Sequence, residues 1–285
     1  MNLQRMLVYC VLLCACAGCS DFQILDALVP RWDYTARTNV AYGALPRQKL
    51  DVCLPKNPKP NAGIIIFFYG GGWQYGERGD YRFVGEALAS RGYIAILPDY
   101  RIYPPYTFPS FIQDGALAVR WARDHAKKLG GDPGHIYLMG HSAGAHIAVM
   151  LTLDNEYLKA VGMDRSDIRA TAGLSGPYDF VIGPGVRPVF GLMPDDPSAK
   201  PNVEPINFVD GFAPPILLQH GLEDDIVESG NSSRLFSKIC RAGGPVELAT
   251  YPNLGHRGVA LALAKPFWWL APVLDDTLRF FEKYR

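Results

Sequence analysis

Short apolar runs alternate with amphipathic stretches over residues 36–285. Residues 64–68 and 93–97 are unbroken apolar runs, the pattern of strands covered on both faces. Residues 136–139, 171–174, 215–219 and 246–251 add further short strands, and 38–42 with 49–54 predict an opening hairpin at a sheet edge. Helical stretches separate them: 81–91 stopped by Gly92, 112–129 stopped by Gly130-Gly131, then 143–153, 232–241 and 272–284. In the long helix Leu117, Trp121, Ala122 and His125 recur at helical spacing. Strand–helix alternation of this kind predicts an α/β fold with a mostly parallel sheet. Pro55-Lys56-Asn57-Pro58-Lys59-Pro60 reads as a loop. The Pro- and Gly-rich stretch 176–213 has no clear period and reads as an insertion over the sheet, a common place for a pocket wall or lid.

Composition narrows the class. Hydrophobic residues make up 48% and charged residues 20%, which excludes general disorder. The 28 basic and 28 acidic residues balance, which argues against a nucleic-acid partner. A chain of 285 residues buries enough surface to need no disulfide or metal staple. Cys53 and Cys240 are the only cysteines in the body of the chain; they read as buried small hydrophobes, with a single bridge between them as the alternative.

The first residues have a different character. Arg5 precedes an uncharged stretch, 6–18, that is too short to span a bilayer as a helix, which needs about 20 residues. It fits the apolar core of an export signal. Its end resembles a bacterial lipoprotein signal. Ala17-Gly18-Cys19 places small residues before an acceptor at Cys19, and Ser20-Asp21 then opens a polar linker. Leu13-Cys14-Ala15-Cys16 offers Cys16 instead. The expected organisation is a signal over 1–19, a linker over 20–35 and a catalytic domain over 36–285. The protein would be exported and held at a membrane by a lipid anchor, with plain secretion or an uncleaved anchor as the alternatives.

Gly140-His141-Ser142-Ala143-Gly144 matches G-x-S-x-G between an apolar run and a helical run. That strand–turn–helix context makes Ser142 a candidate nucleophile at a sharp turn. Serine needs a base. Of six histidines, His256 lies in Asn253-Leu254-Gly255-His256-Arg257-Gly258, a loop after the last strand, and is the best candidate. His220 reads as a residue that shapes its own turn. The acid should come from Glu223-Asp224-Asp225 beyond the strand 215–219; the spacing H-G-x-x-D-x-x-V selects Asp224, with Asp225 as the fallback. Tyr69-Gly70-Gly71-Gly72-Trp73 follows the strand 64–68, so Gly71 and Gly72, with Ala143, are candidate oxyanion donors. Trp73, Gln74, Tyr100 and Tyr103 are candidate substrate contacts by adjacency. The aromatic stretch 267–270 reads as helix-docking core. No H-E-x-x-H or G-x-G-x-x-G pattern points to a metal or a nucleotide phosphate.

Ser142, Asp224, His256 and the glycine run together resemble the esterase/lipase branch of the α/β-hydrolase superfamily. Asp99-Tyr100-Arg101, Phe108-Pro109, Asp114 and Gly130-Gly131-Asp132-Pro133 are similar to that branch as well. With the stretch from Ile136 to His146, they look like feruloyl-esterase-like proteins, isoprenylcysteine methylesterases and kynurenine formamidases. Tyr69 departs from the pattern, because the oxyanion motif of these families begins with His. The resemblance implies an α/β-hydrolase fold and a cofactor-free acyl hydrolase. A carboxylic-ester hydrolase on small or aromatic acyl esters is the leading expectation. An arylformamidase-type amidase shares every named group, and a catalytically silent envelope-binding protein on the same scaffold is the remaining alternative.

Overall fold

A computed structural model describes residues 34–285 apart from 181, 182, 184 and 193–201. The signal, most of the linker, Cys16 and Cys19 therefore lie outside the described residues. The expected linker end is too late, because Tyr34 already pairs with Pro55 in the first strand.

Eight strands form one sheet: β1 (Tyr34–Ala41), β2 (Lys49–Pro55), β3 (Ala62–Phe68), β4 (Ile94–Pro98), β5 (Gly131–His141), β6 (Ile168–Leu174), β7 (Ile216–Gly221) and β8 (Val246–Tyr251). Their spatial order is β1-β2-β4-β3-β5-β6-β7-β8. The edge hairpin β1–β2 and the β2–β4 pair are antiparallel. All other pairs are parallel. The mostly parallel α/β sheet expected from the sequence is thus present. Every residue of β3 and β4 is buried, which explains their unbroken apolar character.

Among the described residues the main helices are α1 (Arg82–Ser90), α2 (Ser110–Leu129), α3 (Ala143–Leu153), the single turn α4 (Glu156–Lys159), α5 (Gly230–Arg241), α6 (His256–Leu261) and α7 (Val273–Lys283). They cover both faces. Tyr137 of β5 stacks on Phe281 of α7 with ring centroids 4.6 Å apart. Side chains alternate along a strand, so Gly140 points to the opposite face, where it meets the first turn of α3. All eleven residues of α3 are buried, as expected of a helix apolar on every side. No helix among the described residues is long and apolar enough to cross a membrane.

Three expectations need correction. Cys53 is buried but Cys240 is exposed on α5, and both are free thiols, so neither the buried pair nor the bridge is present. His256 opens the short helix α6 rather than sitting in a loop. In the stretch 267–270, Phe267, Trp268 and Leu270 pack against the core as expected, but Trp269 is 67% exposed.

Candidate active site

Two parallel strands from the middle of the sheet deliver the candidate nucleophile. β5 ends at His141, α3 begins at Ala143, and Ser142 takes up the reversal with φ 55° and ψ −121°. That backbone is costly for a non-glycine residue, and such strain is characteristic of functional turns. The neighbouring glycines are required by contact. A Cβ on Gly144 would lie 2.0 Å from the Phe68 carbonyl oxygen, and one on Gly140 would lie 2.2 Å from the Gly144 oxygen. The turn therefore forms only because β3, β5 and α3 touch through bare backbone. Ser142 occupies the position just before the buried helix α3, without bonding to it through its side chain, and the helix N-terminus adds positive potential near the hydroxyl.

The loop after β3 lies against this turn. Gly71 has φ 131°, a conformation that favours glycine, and a Cβ there would lie 2.2 Å from the Tyr75 carbonyl oxygen. Its own carbonyl accepts the N–H groups of Gln74 and Tyr75. Tyr69, the departure from the family pattern, supplies a different brace. Its hydroxyl accepts a 2.6 Å hydrogen bond from Arg47, which also donates to the carbonyls of Gly76 and Tyr100. The Tyr100 hydroxyl donates to the Tyr69 carbonyl at 2.8 Å, and the two rings stack at 4.5 Å. Tyr100 is fully buried, so it holds the loop from behind and is not the substrate contact that chain adjacency suggested. Arg101 and Asp114 form a second brace at 2.9 Å.

The candidate acid and base come from the far end of the sheet. His256 Nδ1 lies 2.8 Å from Asp224 Oδ2, with the carboxylate side chain fully buried. The other oxygen, Oδ1, accepts the N–H groups of Ile226 at 3.0 Å and Val227 at 2.8 Å. His220 Nε2 sits 3.1 Å from Oδ2 and 2.9 Å from the Val227 carbonyl. The spacing H-G-x-x-D-x-x-V thus describes a turn closed on itself by residues 220, 224 and 227. Burial by itself would raise the Asp224 carboxyl. Hydrogen bonds from His220, His256 and the Val227 N–H outweigh it and hold the group far below the usual carboxylate range. Asp225, the fallback, is exposed.

His141 joins the two sides, a role not read from the sequence. Its Nε2 faces the His256 carbonyl at 3.0 Å and so carries the hydrogen, while Nδ1 lies 3.3 Å from the Tyr81 hydroxyl. The His141 and His256 rings are 4.8 Å apart. Burial, with His256 beside it, lowers His141 to about 3, so the ring is neutral. Arg47, Tyr81 and His141 carried no pattern that marks them in a single sequence.

Ser142 and His256 open on one cavity of about 520 Å³, whose wall also includes Gly71, Gly72 and Ala143. Trp73, Tyr75, Phe180, Val186 and Ile226 make much of the wall apolar. The described part of the insertion 176–213 therefore does contribute to the pocket, through Pro177, Phe180 and Val186. Trp73 lines the cavity as expected. Gln74 and Tyr103 are absent from that wall; the Tyr103 N–H instead binds the Trp73 carbonyl at 2.8 Å.

Comparison with known proteins agrees with this architecture. The chain is 32% identical to an isoprenylcysteine alpha-carbonyl methylesterase of Arabidopsis thaliana, over 79% of this chain and 57% of that protein. It is 32% identical to esterase LipC of Mycobacterium tuberculosis, over 78% of this chain and 60% of that one. The chain spans 56% to 60% of the length of the curated relatives it matches. Among solved structures, a truncated carbohydrate esterase from gut microbiota superimposes with a TM-score of 0.76 at 25% identity, covering 90% of this chain and 98% of that one. The BD-FAE family model matches residues 50–239. The chain belongs to the BD-FAE family, an esterase family of α/β-hydrolase fold.

Proposed function

We propose that the protein is a serine carboxylic-ester hydrolase with Ser142 as nucleophile, His256 as base and Asp224 as the acid that orients it. The observation that carries this reading is the strained turn at Ser142 opening on the same cavity as a His256 already paired to a buried carboxylate. Ser142 Oγ attacks the acyl carbon while His256 Nε2 takes the hydroxyl proton. The carbonyl oxygen becomes an anion that accepts the N–H groups of Gly71, Gly72 and Ala143. The bond to the leaving alcohol breaks, and the proton on Nε2 passes to that oxygen. Water then attacks the acyl-enzyme, again losing a proton to His256, and the acid leaves as Ser142 is restored. Asp224 keeps the hydrogen on Nδ1 and stabilises the imidazolium.

The apolar wall favours small or aromatic acyl groups over charged ones. The relatives named as methylesterase and esterase support ester chemistry in this chain. Hydrolysis of p-nitrophenyl acetate and butyrate, beside Ser142→Ala and with N-formylkynurenine as a parallel substrate, tests the reading. Ester turnover lost in the variant supports it. Turnover of the formamide alone would make the protein an amidase of the same mechanism. We further propose export with lipidation at Cys19, read from the N-terminal sequence. Loss of membrane association in Cys19→Ala, but not in Cys16→Ala, tests that.

A further inference from the structure

We propose that His220 is a positioning residue of the catalytic site: a second imidazole that, set by Ser232, fixes the carboxylate on which His256 depends. This rests on the triad reading above.

His220 is fully buried at the end of β7. Its Nε2 faces two acceptors, Asp224 Oδ2 at 3.1 Å and the Val227 carbonyl at 2.9 Å. Neither acceptor can donate, so Nε2 carries a hydrogen. Nδ1 lies 2.7 Å from the Ser232 hydroxyl, which is buried on α5 and placed to donate to it. The two acceptors at Nε2 set the tautomer, and a hydrogen bond from Ser232 to Nδ1 holds the ring in it. The Asp224 carboxylate then has three donors of its own, Ile226 and Val227 on Oδ1 and His256 on Oδ2, and a share of the single His220 Nε2 hydrogen, which Oδ2 divides with the Val227 carbonyl. These contacts occupy both oxygens and restrain the carboxylate's rotation. With His220 removed, Oδ2 would keep a single partner, His256, and the carboxylate would be held less tightly on the side that faces the base.

The electrostatic consequence follows the same contact. A neutral N–H on Oδ2 disperses part of the charge that His256 feels. Without it, the carboxylate presents more negative charge to the imidazolium and favours its protonated form. The other groups facing His256 are unchanged: the neutral His141 from the end of β5, Arg257 beside it on α6, and Asp80 and Tyr81 across the cavity.

The test is the pH profile of p-nitrophenyl butyrate hydrolysis, with folding followed by thermal melting. His220→Leu should lower kcat about 10- to 100-fold with little change in KM, the range for losing a hydrogen bond to a charged group. It should also move the acid limb of the profile to higher pH. His220→Gln, whose amide N–H reaches close to the Nε2 position, should recover most of both. Ser232→Ala should show a smaller loss in the same direction. A folded His220→Leu with an unmoved acid limb, or a His220→Gln as impaired as it, would overturn the proposal. If His220→Leu does not fold, Ser232→Ala decides: an upward displacement of the limb supports the proposal and an unmoved limb overturns it. Failure of the triad reading is separable, because wild-type turnover would then survive Ser142→Ala.

Discussion

The two halves of the site are held in place by different physics. The nucleophile side, β3, β5 and α3, is fixed by sterics. Bare backbones meet at Gly140 and Gly144, with almost everything around them buried. The acid–base side, beyond β7 and on α6, is fixed by hydrogen bonds. The side chains of Asp224 and His256 are themselves buried, but the neighbours Glu223, Asp225 and Ile226 are exposed. A steric arrangement tolerates no added atom, whereas a hydrogen-bonded one tolerates substitution in proportion to the donors that remain. In the proposed mechanism the rigid half carries the bond-forming oxygen, and the networked half carries the proton.

Substitutions separate the two regimes. Removing the reacting oxygen in Ser142→Ala should cost about 10⁴- to 10⁶-fold in kcat, read on p-nitrophenyl butyrate, with an unchanged melting temperature. Asp224→Asn should cost about 10⁴-fold through the wrong imidazole tautomer, while Asp225→Asn, exposed beside it, should stay near wild type. Gly144→Ala should act on folding instead. Its Cβ would sit 2.0 Å from the Phe68 oxygen, and overpacking of about 1–3 kcal/mol or more should appear in chemical denaturation. Arg47→Met removes donors to the Tyr69 hydroxyl and to the Gly76 and Tyr100 carbonyls. It should loosen the proposed oxyanion loop and lower kcat/KM about 10-fold, at roughly the worth of one hydrogen bond to a charged group.

A further expected effect is on acid stability. Burial lowers His141 to about 3 and His146 to about 4, below the ordinary histidine range near 6.5. Above about pH 6.5 both rings are neutral in the folded and unfolded chain alike, and their full contribution is present. As pH falls below that, only the unfolded chain takes up these protons, so stability declines until the folded values are reached. Asp224, held low, adds its own loss only below about pH 4, where unfolded carboxylates protonate. His146 packs against Trp73 with ring centroids 5.1 Å apart and against Phe111 at 6.4 Å. His146→Phe should therefore flatten the fall in melting temperature between pH 6.5 and pH 4.5, even if its loss of the Val203 contact lowers the whole curve.

The same division explains what the amino-acid sequence discloses. Close backbone approach leaves glycines at set positions, so the turn at Ser142 and the loop at Gly71 are legible. Buried parallel strands leave unbroken apolar runs, so the sheet is legible as well. Hydrogen-bond networks across the fold leave no such trace. Arg47 reaches Tyr69 from 22 positions away, and His141 reaches the His256 carbonyl from 115. Tyr100 was misplaced for the same reason: nearness along the chain to a catalytic loop does not say which side of that loop a ring occupies. Only where a network folds back within a few residues, as in the turn from His220 to Val227, does it leave a readable spacing.

The most direct measurement is the site of modification by a fluorophosphonate, mapped by mass spectrometry on the full-length protein. One adduct per chain on Ser142 is expected, absent in Ser142→Ala and formed far more slowly in Asp224→Asn. An adduct on another residue, or no adduct on a folded protein that still hydrolyses p-nitrophenyl butyrate, would contradict Ser142 as the nucleophile.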